Sequence, residues 1–287
     1  MLVIAGVSGH VGAATATELL ATKTKIKVLV RDAKKGQVWS QRGAEIAVAS
    51  LDDEKALTAA LKGASGFFVL LPPNFATADL YGDQRKTADA IGAAVKAAAV
   101  PHVVLLSSIG ADVAEGNGPI KGLNYLEQVL RQSGTTLSAI RAGSFQENVA
   151  NAIGPAQTMG MFFNFMPSAD YAVPQIATRD IGSLAAQLLQ SPTGKHEIID
   201  LHGPAYTNRQ VAEHLGARLG RTLTVVDVPA SGHIAAFEKA GMSAEWARAM
   251  AEMYAGFDGG KLRPVGERTV EGKTTLDATI ATLIPTA

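Results

Sequence analysis

Residues 2–20, LVIAGVSGHVGAATATELL, constrain the fold more than any other stretch of this chain. Leu2, Val3, Ile4 and Ala5 form a continuous apolar run, the pattern of a strand buried on both faces. Gly6, Gly9 and Gly12 follow at G-x-x-G-x-x-G spacing, and Ala13, Ala14, Ala16, Leu19 and Leu20 then carry a helical pattern. Strand, glycine turn and helix in this order can cradle a dinucleotide. One glycine makes the tight turn, one lets the backbone approach a pyrophosphate, and one lets the helix pack close to the sheet. The helix N-terminus offers unpaired N–H groups and a positive dipole end to the anion. Ser8 and His10 add donors beside it, and Val11 belongs to the same first turn. Glycine turns also join strands to helices without a ligand, but here the preceding strand and the following helix both favour binding.

The second strand, residues 25–30 (KIKVLV), ends at Arg31, nineteen residues beyond Gly12. An acidic residue there would bind the ribose 2'-hydroxyl of NAD, whereas an arginine pairs with the 2'-phosphate of NADP. Arg31, with Lys35 in support, therefore points to NADP(H) in preference to NAD(H). Asp32 could be argued for NAD, yet it stands where a helix-capping residue belongs.

Further strands are expected at residues 44–50, 66–71, 100–107 and 137–141, with helices at 53–61, 83–99 and 122–133 between them. Strands separated by helices imply right-handed crossovers and a doubly wound parallel sheet, the Rossmann-like α/β class. Ligands of such sheets lie at the carboxyl ends of the strands, which nominates Leu71 and Pro72, Ser107, and Gly143 and Phe145 as cofactor neighbours. Residues 1–150 read as the dinucleotide-binding domain. Residues 151–287 read as a smaller α/β region on the substrate side, with contributions interleaved into the first. Its Met- and Phe-rich opening, residues 154–167, fits a substrate-side loop or lid and equally fits ordinary core. Short strands at 171–173, 197–201 and 223–228 alternate with helices at 180–189, 207–219, 243–254 and 276–283.

Composition narrows the chemistry. The absence of cysteine excludes disulfides, thiolate catalysis and Cys-ligated metals, and no metal site is expected. Lys plus Arg and Asp plus Glu both number 26, so no overall field favours nucleic acid. No apolar run reaches membrane-spanning length, and a strand from residue 2 leaves no room for a signal peptide. The expectation is a cytoplasmic protein, monomeric or homodimeric, acting on a small molecule and touching neither nucleic acid nor membrane.

The glycine triad, Arg31, LLSSIGA at 105–111, Leu126-Glu127-x-x-Leu130 and IRAGSFQEN at 140–148 together resemble the NmrA-like branch of the atypical short-chain dehydrogenases/reductases. Thr178-Arg179-Asp180-Ile181-Gly182, His202-Gly203-Pro204 and the helix ending at Leu219-Gly220-Arg221 continue the resemblance along nearly the whole chain. It implies an NAD(P)-binding Rossmann-like domain closed over the nicotinamide by the C-terminal part. Members include NADPH-dependent quinone reductases and also regulators that bind the dinucleotide without turnover.

Ordinary short-chain reductases use a Tyr-x-x-x-Lys pair on the helix after strand five, where the phenol protonates the carbonyl and the ammonium lowers its pKa. In relatives that keep the pair, the Lys lies four residues before the helix Glu. Counting back from Glu127 places Leu123 and Pro119 at the two positions. Lys121 is two residues off, about 200° round the helix, and reaches the pocket only if the helix begins late. Lys121 and Tyr125 are the catalytic candidates that remain. Two functions stay open: reduction of a quinone-like or activated carbonyl acceptor, for which positioning matters more than an acid, and non-catalytic sensing of NADP(H). A hydrolase is not indicated, because the sequence has no G-x-S-x-G elbow.

Overall fold

The computed structural model describes residues 1–285. Its strands are β1 (Leu2–Ile4), β2 (Ile26–Val30), β3 (Glu45–Val48), β4 (Gly66–Val69), β5 (His102–Ser108), β6 (Thr136–Ala142), β7 (Ser144–Phe145), β8 (Met161–Asn164), β9 (Val173–Ile176), β10 (Glu197–His202), β11 (Ala205–Tyr206), β12 (Thr224–Asp227) and β13 (Arg268–Glu271). Its helices are α1 (His10–Ala21), α2 (Ala33–Gln41), α3 (Glu54–Leu61), α4 (Leu80–Ala97), α5 (Lys121–Gln132), α6 (Ala150–Met159), α7 (Thr178–Gln190), α8 (Asn208–Leu219), α9 (His233–Lys239), α10 (Ala244–Asp258) and α11 (Leu276–Leu283).

Eight strands form one parallel sheet in the order β13-β10-β6-β5-β4-β1-β2-β3. The expected doubly wound Rossmann-like architecture is present. Strand order reverses at β1, between β2 and β4, and that is where a ligand crevice opens at the carboxyl ends. The chain beyond residue 150 returns two strands, β10 and β13, to this sheet. It also builds a three-stranded sheet (β11-β9-β7) and a parallel pair (β12-β8).

Because successive side chains of a strand alternate faces, the central strands are apolar on both. Ile4, Val28, Phe68, Val104 and Ile140 face α1 and α7. Val3, Phe67, Leu105, Leu137 and Ala139 face α3, α4 and α5. Helices α1 and α7 pack tightly because Gly182 has no side chain: a Cβ there would lie 2.4 Å from the Ala14 Cβ. The N-terminus of α7 is capped from the β6 side of the fold, since both carboxylate oxygens of Glu147 accept from the Thr178 backbone N–H (2.9 and 3.1 Å). Asp180 in turn accepts from the Thr274 N–H (2.9 Å) and hydroxyl (2.7 Å), and Gln146 donates to the Thr274 carbonyl (2.8 Å). The motifs around 146 and 180 thus tie the segment between β13 and α11 to α7 and to the turn after β7.

Several sequence expectations shift. The Met- and Phe-rich stretch is no loop: it contains most of α6 and all of β8, broken by Gly160 in the left-handed conformation (φ 68°). The strand expected at 171–173 begins instead at Val173 and runs to Ile176. Strands β7, β8, β11 and β13 and helices α6 and α9 add to the elements expected from the sequence.

Candidate functional site

The three glycines sort by geometry into three jobs. Gly6 has φ +70°, and a Cβ on it would strike Leu70 at 2.6 Å, so it is the turn. Gly12 is the packing glycine, since its Cβ would lie 2.4 Å from the Gly6 carbonyl oxygen. At Gly9 the nearest atom to an added Cβ is the Gly6 carbonyl oxygen at 3.5 Å, an ordinary contact. The fold itself would accept a side chain at position 9, so the close approach that glycine permits there is to something outside the chain. Gly9 is also the N-cap of α1, where no side chain caps the helix and no acidic residue occupies the first turn. Ser8, Gly9 and His10 are exposed and Val11 is buried beneath them. An uncapped, open helix end of positive dipole is what a pyrophosphate fits.

Arg31 lies exposed at the end of β2, and among the described residues it makes no ion pair or side-chain hydrogen bond. Asp32 caps α2, its carboxylate accepting from the Lys34 N–H at 2.9 Å. That use removes the argument for Asp32 as a ribose ligand. Lys35 is exposed one turn into α2.

At the end of β4, Leu70 lies under the glycine turn, whereas Leu71 packs on the α3–α5 side and Pro72 is exposed. Leu70 escaped the sequence reading, although the alternation from Phe68 places the two on one face. Ser107 is 3% exposed and donates to Glu127 at 2.6 Å, so its hydroxyl is used inside the protein. Ser108, half-buried at the strand end, donates its hydroxyl to the neighbouring Ile109 carbonyl at 3.0 Å. Gly143 donates its N–H to the Leu201 carbonyl (2.9 Å), and a Cβ there would approach the Pro174 carbonyl at 3.0 Å. Phe145 packs partly into the core on the α1–α7 side.

The two catalytic candidates both lie against α4. Lys121 is the first residue of α5, exposed, with its ammonium 5.3 Å from the centre of the Tyr81 ring. The Tyr125 hydroxyl donates to Asp89 on α4 at 2.7 Å, and that bond pushes its pKa up. Arg85 lies over the Tyr125 ring at 4.8 Å. Pro119 and Leu123 stand where the register from Glu127 puts them, on a 3-10 turn (Gly118–Ile120) and in the first turn of α5.

The C-terminal part is tied to the loops at the carboxyl ends of the central strands β4 and β5. Ser243 donates its N–H to the Phe75 carbonyl in the loop after β4 (2.8 Å), and Trp246 meets the Phe75 ring edge-on at 4.8 Å. Glu252 accepts from the Gly116 N–H (2.8 Å) in the loop after β5. Behind α10, Phe165, Phe237, Tyr254 and His233 form one aromatic cluster, with Phe165 stacked on Phe237 at 4.9 Å and Phe237 on Tyr254 at 5.7 Å. Burial raises the Tyr254 pKa. Among the described residues no helix is long and apolar enough to cross a membrane.

Known proteins are similar to this chain in sequence and fold. An NAD(P)H azoreductase from Xenophilus azovorans is 30% identical over 259 residues, covering 89% of this chain and 86% of the relative. A quinone oxidoreductase from Escherichia coli strain K12 is 24% identical over 245 residues, 84% of this chain and 82% of that protein. The crystal structure of an NADPH-dependent quinone oxidoreductase from Escherichia coli, in complex with NADPH, superimposes with a TM-score of 0.78 at 24% identity, covering 99% of this chain and 94% of that one. The profile of the NmrA-like family matches residues 1–281, and with a glycine turn, strand order and relatives in agreement the chain belongs to the NmrA-like family.

Proposed function

We propose that this protein is an NADPH-dependent reductase of small, planar, apolar acceptors of the quinone or azo type. The observation that carries the reading is the open Gly9 position beside the uncapped N-terminus of α1, a cradle with no use inside the fold. Two relatives that are oxidoreductases support turnover over sensing alone. The first-turn N–H groups of His10, Val11 and Gly12 would hold the pyrophosphate, with Ser8 and His10 as side-chain donors. Arg31 would fork onto the 2'-phosphate with Lys35 beside it, which favours NADP(H) over NAD(H). Leu70 and Ser108 would flank the nicotinamide end.

Bound NADPH supplies a hydride. What the chain supplies is position and dryness: the carboxyl edge of the sheet beneath and α10 above hold the acceptor against the dinucleotide and limit water. Quinone reduction takes up one proton besides the hydride, and water can deliver it to an oxygen that is already becoming a phenolate. Neither Lys121 nor Tyr125 is assigned the proton. The test is NADPH consumption with one naphthoquinone, one azo dye and one unactivated ketone. Consumption with either of the first two and none with the ketone supports the reading, and inertness to all three refutes it.

A further inference from the structure

We infer that Arg141 is a positioning residue, a buried hub that fixes two covering segments, the loop after β5 and the strap leading from α10 to β13, over the acceptor end of the crevice. Arg141 is 7% exposed at the end of β6. Its Nε and Nη2 donate to the two oxygens of Glu127 on α5 at 3.0 and 2.8 Å, and its Nη1 lies 3.5 Å from Asp112 in the loop after β5. In the sheet it is paired with Ser107 on one side and Asp200 on the other. Ser107 shares the Glu127 Oε1, and Asp200 accepts from the Gly266 N–H in the strap while its Oδ1 has no partner. One guanidinium therefore stands among three carboxylates that belong to a helix, a loop and the strand under the strap. Burial opposes its charge, but Glu127, Asp112 and Asp200 outweigh that and hold the Arg141 pKa above its ordinary value.

The two covering segments meet each other above this hub. Leu262 of the strap fills the space that a Cβ on Gly110 would need, and Lys261 does the same at Gly116. Asn117 ties the loop internally by donating to the Gly110 carbonyl at 3.0 Å and to the Val113 carbonyl at 2.6 Å, and Asn124 holds the Ala111 carbonyl at 2.7 Å. Asp112 is the loop's side-chain contact to Arg141. The Ile109 N–H, donated to the Ala142 carbonyl at 3.1 Å, is where the loop leaves the sheet. Moving the guanidinium thus removes the Asp112 tie between the loop and β6 and loosens the loop on which α10 sits.

The role assigned to these segments in acceptor binding rests on the reductase reading. Two variants test it, because Arg141→Met leaves Glu127 uncompensated and can simply fail to fold. Asp112→Asn keeps the buried Arg141–Glu127 pair and weakens the loop's tie, and Asp200→Asn keeps an acceptor for Gly266 while removing a charge. Amide hydrogen exchange should quicken in 109–117 for Asp112→Asn and in 259–267 for Asp200→Asn, with exchange in β1, β4 and β5 unchanged. In Asp112→Asn the KM for naphthoquinone should rise about two- to fivefold, as expected for a partly exposed ion pair, with NADPH affinity held. The exchange arm needs no turnover, so it stands if the reductase reading fails. Unchanged exchange in both variants overturns the hub, and quickened exchange with an unchanged KM overturns its role in positioning.

Discussion

Gly12 packs its Cα so closely on Gly6 that a Cβ at position 12 would lie 2.4 Å from the Gly6 carbonyl oxygen. Gly9, midway between them in sequence, has no such neighbour within 3.5 Å. The two positions therefore fail differently on substitution. Gly12→Ala must displace backbone and should cost about 3 kcal/mol, the upper end of the overpacking range. Gly9→Val should leave the fold intact and abolish dinucleotide binding. Denaturant melts and an NADPH fluorescence titration on the same samples separate the two. Loss of fold in Gly9→Val, or intact affinity, would show that the turn serves only the backbone.

Arg31 should set the choice of cofactor. With its guanidinium uncommitted and Asp32 spent on capping α2, Arg31→Ala should remove about 1.5–3 kcal/mol of NADPH affinity and leave NADH affinity nearly unchanged. Parallel titrations with both cofactors measure the gap. Equal affinities in the unaltered protein would rule the assignment out.

Lys121 and Tyr125 should be dispensable. The Lys121 ammonium lies over Tyr81 and the Tyr125 hydroxyl is bonded to Asp89. Lys121→Met and Tyr125→Phe should each keep kcat and KM with a quinone within about twofold, since surface changes are usually within ±0.5 kcal/mol. A tenfold fall in kcat for either would return it to the chemistry.

Stability should decline in mild acid through His102. Its side chain is 2% exposed, with Nε2 3.1 Å from the Ser138 hydroxyl, which itself donates to Glu197 at 2.9 Å. Nε2 must therefore be the donor, and the bare Nδ1 is buried without a partner. Burial lowers the His102 pKa below its ordinary 6.5, and the charge of Glu197 only partly opposes this. The unfolded chain takes up the proton first, so this contribution is full above pH 6.5 and is lost as pH falls towards the depressed folded value. Urea melts of the unaltered protein and His102→Gln between pH 8 and 5 should differ in slope on the acid side. Parallel slopes would refute the coupling.

Local features were legible in the sequence because their partners are near in the chain. The glycine triad, the capping use of Asp32 and the alternating faces of the central strands all follow from neighbours within a few residues. The bonding of Ser107 is hidden in the sequence for the opposite reason. Its hydroxyl goes to Glu127 on the next helix and thence to Arg141 on the next strand, a pairing that only the β5–β6 register reveals. Strand β13, RTVE, lies at the sheet edge with little burial and so carries almost no apolar signal. Gly160 was the missed clue in the Met- and Phe-rich stretch, because a glycine after a helical run marks a left-handed cap and a new element beyond it. The register counted from Glu127 is a property of the sequence, while the surroundings of Lys121 and Tyr125 depend on α4, some forty residues earlier in the chain.

On the proposed function, the crevice carries hydride from NADPH to a planar acceptor. Single-turnover stopped flow tests it most directly: protein loaded with one equivalent of NADPH is mixed with a naphthoquinone and nicotinamide absorbance is followed. Oxidation well above the protein-free rate is expected in the unaltered protein, and a return to the protein-free rate in Gly9→Val. Oxidation of bound NADPH no faster than in free solution, with quinone and azo acceptors alike, would contradict it.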